Sequence, residues 1–69
     1  MPFVSVRIVE GHSRERKNEM ARRITEAVSE IAQVPKEIVW LTFEDVPAGE
    51  WYIGADSVEQ LRAATAPKS

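Results

Sequence analysis

Between Phe3 and Glu44 the apolar residues change their period twice, and that pattern restricts the fold more than any other feature. From Phe3 to Val9 the period is two: Val4, Val6 and Ile8 lie on one face, Phe3, Ser5, Arg7 and Val9 on the other. From Arg14 to Ala32 it becomes helical, with Met20, Ile24, Ala27, Val28 and Ile31 on one stripe and Glu19, Arg22, Arg23, Glu26 and Glu30 elsewhere. Gly11 breaks the first run, Ser13 is a good N-cap, and Glu15 in the first turn suits the helix dipole. Pro35 closes the helix, because a residue preceding proline avoids the helical region. Period two returns from Ile38 to Glu44, with Val39, Leu41 and Phe43 on one face. Strand, helix and strand over this length form a βαβ unit, so the strands are expected to be parallel and the crossover right-handed.

Beyond the unit, Pro47-Ala48-Gly49 is turn chemistry and Trp51-Tyr52-Ile53 reads as a short strand or hairpin arm stopped by Gly54. Ser57 and Gln60 have capping-box spacing for one or two helical turns, and the tail from Ala63 to Ser69 is expected to fray. The expected class is α+β, with residues 1–69 forming a single domain.

Such a unit leaves one sheet face uncovered. One helix covers Val4, Val6, Ile8, Val39, Leu41 and Phe43, while Phe3, Ser5, Arg7, Val9, Ile38, Trp40 and Thr42 lie opposite. The second set is too apolar to leave wet and too polar for a private core, so a subunit interface is expected there. Size points the same way. A 69-residue chain without cysteine has no disulfides, and one histidine without a Cys/His cluster argues against a structural metal. Oligomerisation is the remaining source of stability.

The net charge of −2, with charges of both signs interspersed, is not a nucleic-acid footprint. No stretch is long and apolar enough to span a membrane, and the N-terminus lacks the apolar core of a secretory signal, so a cytoplasmic protein is expected. Glycines are too few and too scattered for a phosphate loop. His12 and the serines have no catalytic spacing, and Glu44 and Asp45, adjacent on a strand, point to opposite faces.

The N-terminus offers more. Met1-Pro2 is a sequence from which the initiator methionine is normally removed, leaving the secondary amine of proline. An α-amino group titrates at about 7.7–8.0, and apolar surroundings lower that value. A neutral amine near pH 7 is a competent general base and its protonated form a competent acid.

Pro2, the strand Phe3 to Val9 and the Glu10-Gly11-His12-Ser13 turn resemble the start of the 4-oxalocrotonate tautomerase family of the tautomerase superfamily. The long helix, Pro35 before the second strand and Trp51-Tyr52-Ile53-Gly54 continue the resemblance, which runs without gaps from Pro2 to about Arg62. It implies a β-α-β fold with a short C-terminal hairpin, assembled as a hexamer of dimers. It implies a keto–enol tautomerase (an isomerase) needing no cofactor or metal, in which Pro2 moves a proton within an enol or 2-hydroxydienoate to give the ketone. An aromatic residue after the second strand walls the family's pocket, and Trp51 holds that position.

The chain departs from the family at two positions. His12 and Trp40 stand where the family has arginines that grip a substrate carboxylate. Indole carries no charge and donates one hydrogen bond; imidazole holds an anion when protonated. His12, Trp40 and Trp51 are therefore the candidate substrate-binding residues, with Arg7 a possible source of the missing charge. Three functions stay open: a tautomerase acting on a small enol or keto-acid substrate; a hydratase or dehalogenase of unsaturated acids on the same scaffold, with Glu10 or Asp45 activating water; and a non-catalytic subunit of a hetero-oligomer. A homohexamer is the expected assembly, with a sister subunit supplying the arginines as the alternative.

Overall fold

The computed structural model describes residues 1–65. Strand β1 (Phe3–Val9) leads through a turn into helix α1 (Arg14–Ala32), and β2 (Trp40–Val46) returns parallel to β1. A short hairpin, β3 (Tyr52–Ile53) with β4 (Asp56–Ser57), and helix α2 (Val58–Thr65) follow. This is the β-α-β arrangement with a C-terminal hairpin that the sequence implied.

Local chemistry accounts for the joints. Gly11 has φ of 118°, a conformation that favours glycine, and it redirects the chain from β1 into α1. Ser13 caps α1 by accepting from the Arg16 N–H at 3.2 Å. The helix ends on Gln33 in the left-handed conformation, and the Gln33 and Val34 N–H groups both donate to the Ser29 carbonyl. Gly54 alone has positive φ in the two-residue loop between β3 and β4, the signature of a type II′ hairpin turn.

The register pairs Val4 with Leu41, Val6 with Phe43 and Ile8 with Asp45 on the helix side of the sheet. All but Asp45 are half-buried. On the other side Phe3 pairs with Trp40, Ser5 with Thr42 and Arg7 with Glu44, and all six are exposed. Phe3 and Trp40 expose 61% and 55% of their surface, while Ala48 is the only buried hydrophobic residue among those described. An isolated subunit therefore has a bare sheet face, aromatic at the Phe3–Trp40 end and polar beyond it, and no closed core among the described residues.

Three expectations need correction. The second strand begins at Trp40 and reaches Val46, because Lys36–Ile38 form a 3-10 turn after Pro35 instead of entering the strand. Ala27 and Ile31 lie off the buried stripe, Ile31 being 83% exposed. The helix presents Lys17, Met20, Ala21, Ile24, Thr25 and Val28 as its less exposed side. Ala63 continues α2 to Thr65; the rest of the tail expected to fray lies outside the described residues.

Candidate active site

Pro2 precedes β1 and is half-buried, and its carbonyl oxygen accepts from the Trp40 N–H at 3.0 Å. The bond extends the parallel ladder by one residue and fixes the proline beside Trp40 at the N-terminal end of the sheet. Met1 is 82% exposed, so the peptide bond that masks the amine is accessible. By strand parity Pro2 falls on the helix side of the sheet with Val4, while Phe3 and Trp40 lie side by side on the bare face.

The other sequence candidates sit at the opposite end. His12 lies in the turn after β1, and Trp51 follows the 3-10 turn Ala48–Glu50 beyond β2. A strand rises about 3.3 Å per residue, which puts Val9 roughly 23 Å from Pro2. His12 and Trp51 are therefore remote from Pro2 of their own subunit, while Trp40 is adjacent to it.

Two concave regions occur at that far end. An open cleft of about 610 Å³ is lined by Arg7, Glu44, Val46, Glu50, Trp51 and Tyr52. Within it Arg7 is engaged, its Nε donating to a Glu44 carboxylate oxygen at 3.1 Å. Trp51 is half-buried, and its carbonyl accepts from the Val58 N–H at 2.8 Å, tying the cleft wall to α2. The second region, about 370 Å³, is lined by His12, Arg16, Glu19, Met20 and Arg23. His12 is half-buried there, and its Nδ1 has no solvent exposure and no hydrogen-bond partner among the described residues.

The acidic candidates are occupied. One Glu10 carboxylate oxygen accepts from the Ala48 N–H at 3.0 Å, and the Glu10 N–H donates to the Val46 carbonyl, so this residue joins the turns that follow the two strands. Asp45 faces the helix and forms an ion pair with Lys17, whose side chain is only 11% exposed. This pair was not foreseen from the sequence, although strand parity places Asp45 with Ile8 on the helix side. Among the described residues no three His, Cys, Asp or Glu side chains are grouped to hold a metal, and no helix is long and apolar enough to cross a membrane.

The family model described as tautomerase enzyme matches residues 2–61 of the chain. The chain belongs to the tautomerase family. The matched span starts at Pro2 and takes in β1, α1, β2, the hairpin and the first turn of α2. A probable tautomerase of Streptococcus agalactiae is 50% identical to this chain over 52 residues, spanning 75% of this chain and 87% of the relative. Among solved structures, a 4-oxalocrotonate tautomerase isozyme of Methylibium petroleiphilum superposes with a TM-score of 0.84 at 35% identity, covering 87% of this chain and 97% of that one. The heterohexameric 4-oxalocrotonate tautomerase of Chloroflexus aurantiacus gives 0.85 at 34% identity, covering 90% and 100%. Both the fold and the 4-oxalocrotonate tautomerase grouping follow from these relationships, and they support isomerase chemistry in general terms.

Proposed function

We propose that this tautomerase converts an enol or 2-hydroxydienoate to its keto form with the Pro2 amine, freed by removal of Met1, as the acid–base group. The observation that carries the reading is the placement of Pro2: half-buried, held through its carbonyl to the Trp40 N–H, and on the same side of the sheet as the apolar Val4 and Leu41. Partial burial on that apolar side disfavours the charged form of the amine. In the reaction the amine takes the enol hydroxyl proton as the carbonyl forms, and the resulting ammonium returns a proton to the carbon end of the π system. The amine is regenerated, no electrons are exchanged, and the step requires no cofactor.

Assembly completes the site in this reading. Trp51 and His12 lie too far from Pro2 to share a small substrate with it inside one subunit, so a neighbouring subunit brings them to it. The bare sheet face supplies the contact. A hexamer is the proposed assembly, supported by the heterohexameric relative, with like subunits or with a sister chain.

The hydratase or dehalogenase reading has less support in the geometry, since Glu10 and Asp45 are already bound to Ala48 and Lys17. Intact mass followed by assays of phenylenolpyruvate and 2-hydroxymuconate with native protein and Pro2→Ala tests the proposal. Loss of Met1 and loss of activity in the variant are expected. A processed native protein inert on both substrates would refute the reading and leave a non-catalytic or sister-dependent subunit. Halide release or hydration of a 3-haloacrylate would point to the alternative chemistry.

A further inference from the structure

The cleft at the start of α1 has an unbalanced charge. His12, Arg16, Glu19 or Met20, and Arg23 follow one another at spacings of three and four, so they form a single stripe along the turn and the helix. Glu19 is the one carboxylate in the lining, and it is taken up by Arg22, outside the lining. Arg22 Nε donates to both Glu19 oxygens at 2.9 and 3.0 Å, and Nη2 donates at 2.5 Å. These bonds to Arg22 hold the Glu19 carboxyl below its ordinary range, so it stays ionised but already neutralised. Arg23 reaches Glu19 only at 3.7 Å.

Arg16 has no carboxylate partner among the described residues; its backbone N–H donates to Ser13 Oγ, and its guanidinium has no hydrogen bond or ion pair there. It also stands in the first turn of α1, where a cation opposes the helix dipole. Neither helix stability nor ion pairing accounts for an arginine there. His12 lines the same cleft, and Met20 gives it an apolar wall.

We propose that Arg16 is a specificity-determining residue that selects substrates bearing one carboxylate on an apolar body, with His12 and Arg23 as flanking donors. A planar guanidinium grips a carboxylate through two parallel N–H···O bonds, while Met20 and the arginine stems face the hydrocarbon part. Arg16 lies one helical turn after His12, so a charge missing from the turn is restored from the helix. The inference rests on the Pro2 reading, because the anchored substrate meets Pro2 of a neighbouring subunit.

The test compares phenylenolpyruvate with the enol of phenylacetaldehyde, which lacks the carboxylate, in wild type, Arg16→Gln and Arg16→Lys oligomers. Circular dichroism and oligomer mass establish that the variants fold and assemble. Arg16→Gln is expected to raise KM for phenylenolpyruvate at least tenfold, to change kcat less than threefold, and to leave the neutral enol within twofold of wild type. Arg16→Lys is expected to recover part of the loss. Benzoate titration followed by NMR gives a readout independent of turnover, with Kd weakened about tenfold in Arg16→Gln.

If native protein turns over both enols and Arg16→Gln alters neither KM nor benzoate binding, the anchor is wrong and the Pro2 reading stands. An equal loss on both enols also overturns it. If native protein binds benzoate through Arg16 yet turns over neither enol, the anchor stands and the Pro2 reading fails. Absence of both activity and benzoate binding in native protein removes the anchor as well.

Discussion

The backbone N–H of Trp40 donates to the carbonyl oxygen of Pro2 at 3.0 Å, so the candidate base is fastened by main chain and its ring is left out of the fastening. Blocking the amine should therefore leave the fold alone. Protein that retains Met1 carries a tertiary amide at Pro2 and should have no tautomerase activity, with an unchanged melting temperature. In preparations of mixed processing, the specific rate should rise in proportion to the Met1-free fraction measured by intact mass. Pro2→Ala should lose about 10²–10⁴-fold in rate, the range usual for removing a general acid–base group. A rate independent of processing would dismiss Pro2.

The ion pair of Lys17 with Asp45 joins α1 to the end of β2, with Lys17 nearly covered and Asp45 44% exposed on its side chain. Asp45→Ala leaves an ammonium in a largely buried position. Breaking a fully buried pair costs about 3–5 kcal/mol, and the exposure of Asp45 reduces this to about 1–3 kcal/mol. Urea unfolding at fixed subunit concentration should show that loss, and the double change Lys17→Met with Asp45→Leu should recover most of it. Asp45→Ala should also leave any hydration of unsaturated acids unaffected, which checks the water-activating role considered for this residue.

How far the sequence revealed these features depended on the range of the signal. Strand parity assigned Val4, Val6, Ile8, Leu41 and Phe43 to the covered face and Phe3, Ser5, Trp40 and Thr42 to the bare one, and the register agrees. Helical periodicity failed at Ile31 because the 19 residues of α1 extend about 28 Å, past strands of about 23 Å, so its last turn overhangs the sheet. The start of β2 was misplaced because a residue's β-branching says nothing of the 3-10 turn that Pro35 begins. Pro2 came from terminal chemistry and family resemblance. Arg16 was missed because its significance lies in what it does not pair with, and that depends on Arg22 having taken Glu19.

Glu19 and Arg22 give a pH dependence with a definite sign. The folded-state pKa of Glu19 is depressed, chiefly by hydrogen bonds from Arg22. A depressed carboxylate adds stability above its unfolded value of 4.5 and loses it as pH falls through the lower folded value. The stability difference between native protein and Glu19→Gln should therefore shrink below about pH 4.5, and added salt should shrink it at neutral pH because the pair is exposed. A difference that grows on acidification would contradict the assignment.

The capping box at α2 should act locally. The Ser57 N–H donates to Gln60 Oε1 at 2.8 Å, and the Gln60 N–H donates to Ser57 Oγ at 3.1 Å. Ser57→Ala should cost about 0.5–2 kcal/mol. Hydrogen exchange should show faster opening of α2 while amides of the β1–β2 ladder keep their protection. Uniform loss of protection would mean that α2 is part of the global folding unit.

The bare sheet face carries the prediction on which assembly and the composite site both depend. Thr42 sits at its centre, paired in register with Ser5 and flanked by the Phe3–Trp40 and Arg7–Glu44 pairs. It is the next pair along that face from Phe3–Trp40, and Pro2 lies on the other side of the sheet by parity, so Thr42→Glu changes the face and leaves Pro2 and Trp40 in place. A carboxylate there would be buried on association without a partner, a cost of several kcal/mol. Thr42→Glu should therefore lower the mass seen by light scattering, make the melting temperature depend more steeply on concentration, and lose activity in step with dissociation. Glu30→Gln, on the exposed side of α1, should change none of these. If Thr42→Glu keeps the native mass, this face is not the interface, and Trp51 must reach Pro2 through some other contact between subunits.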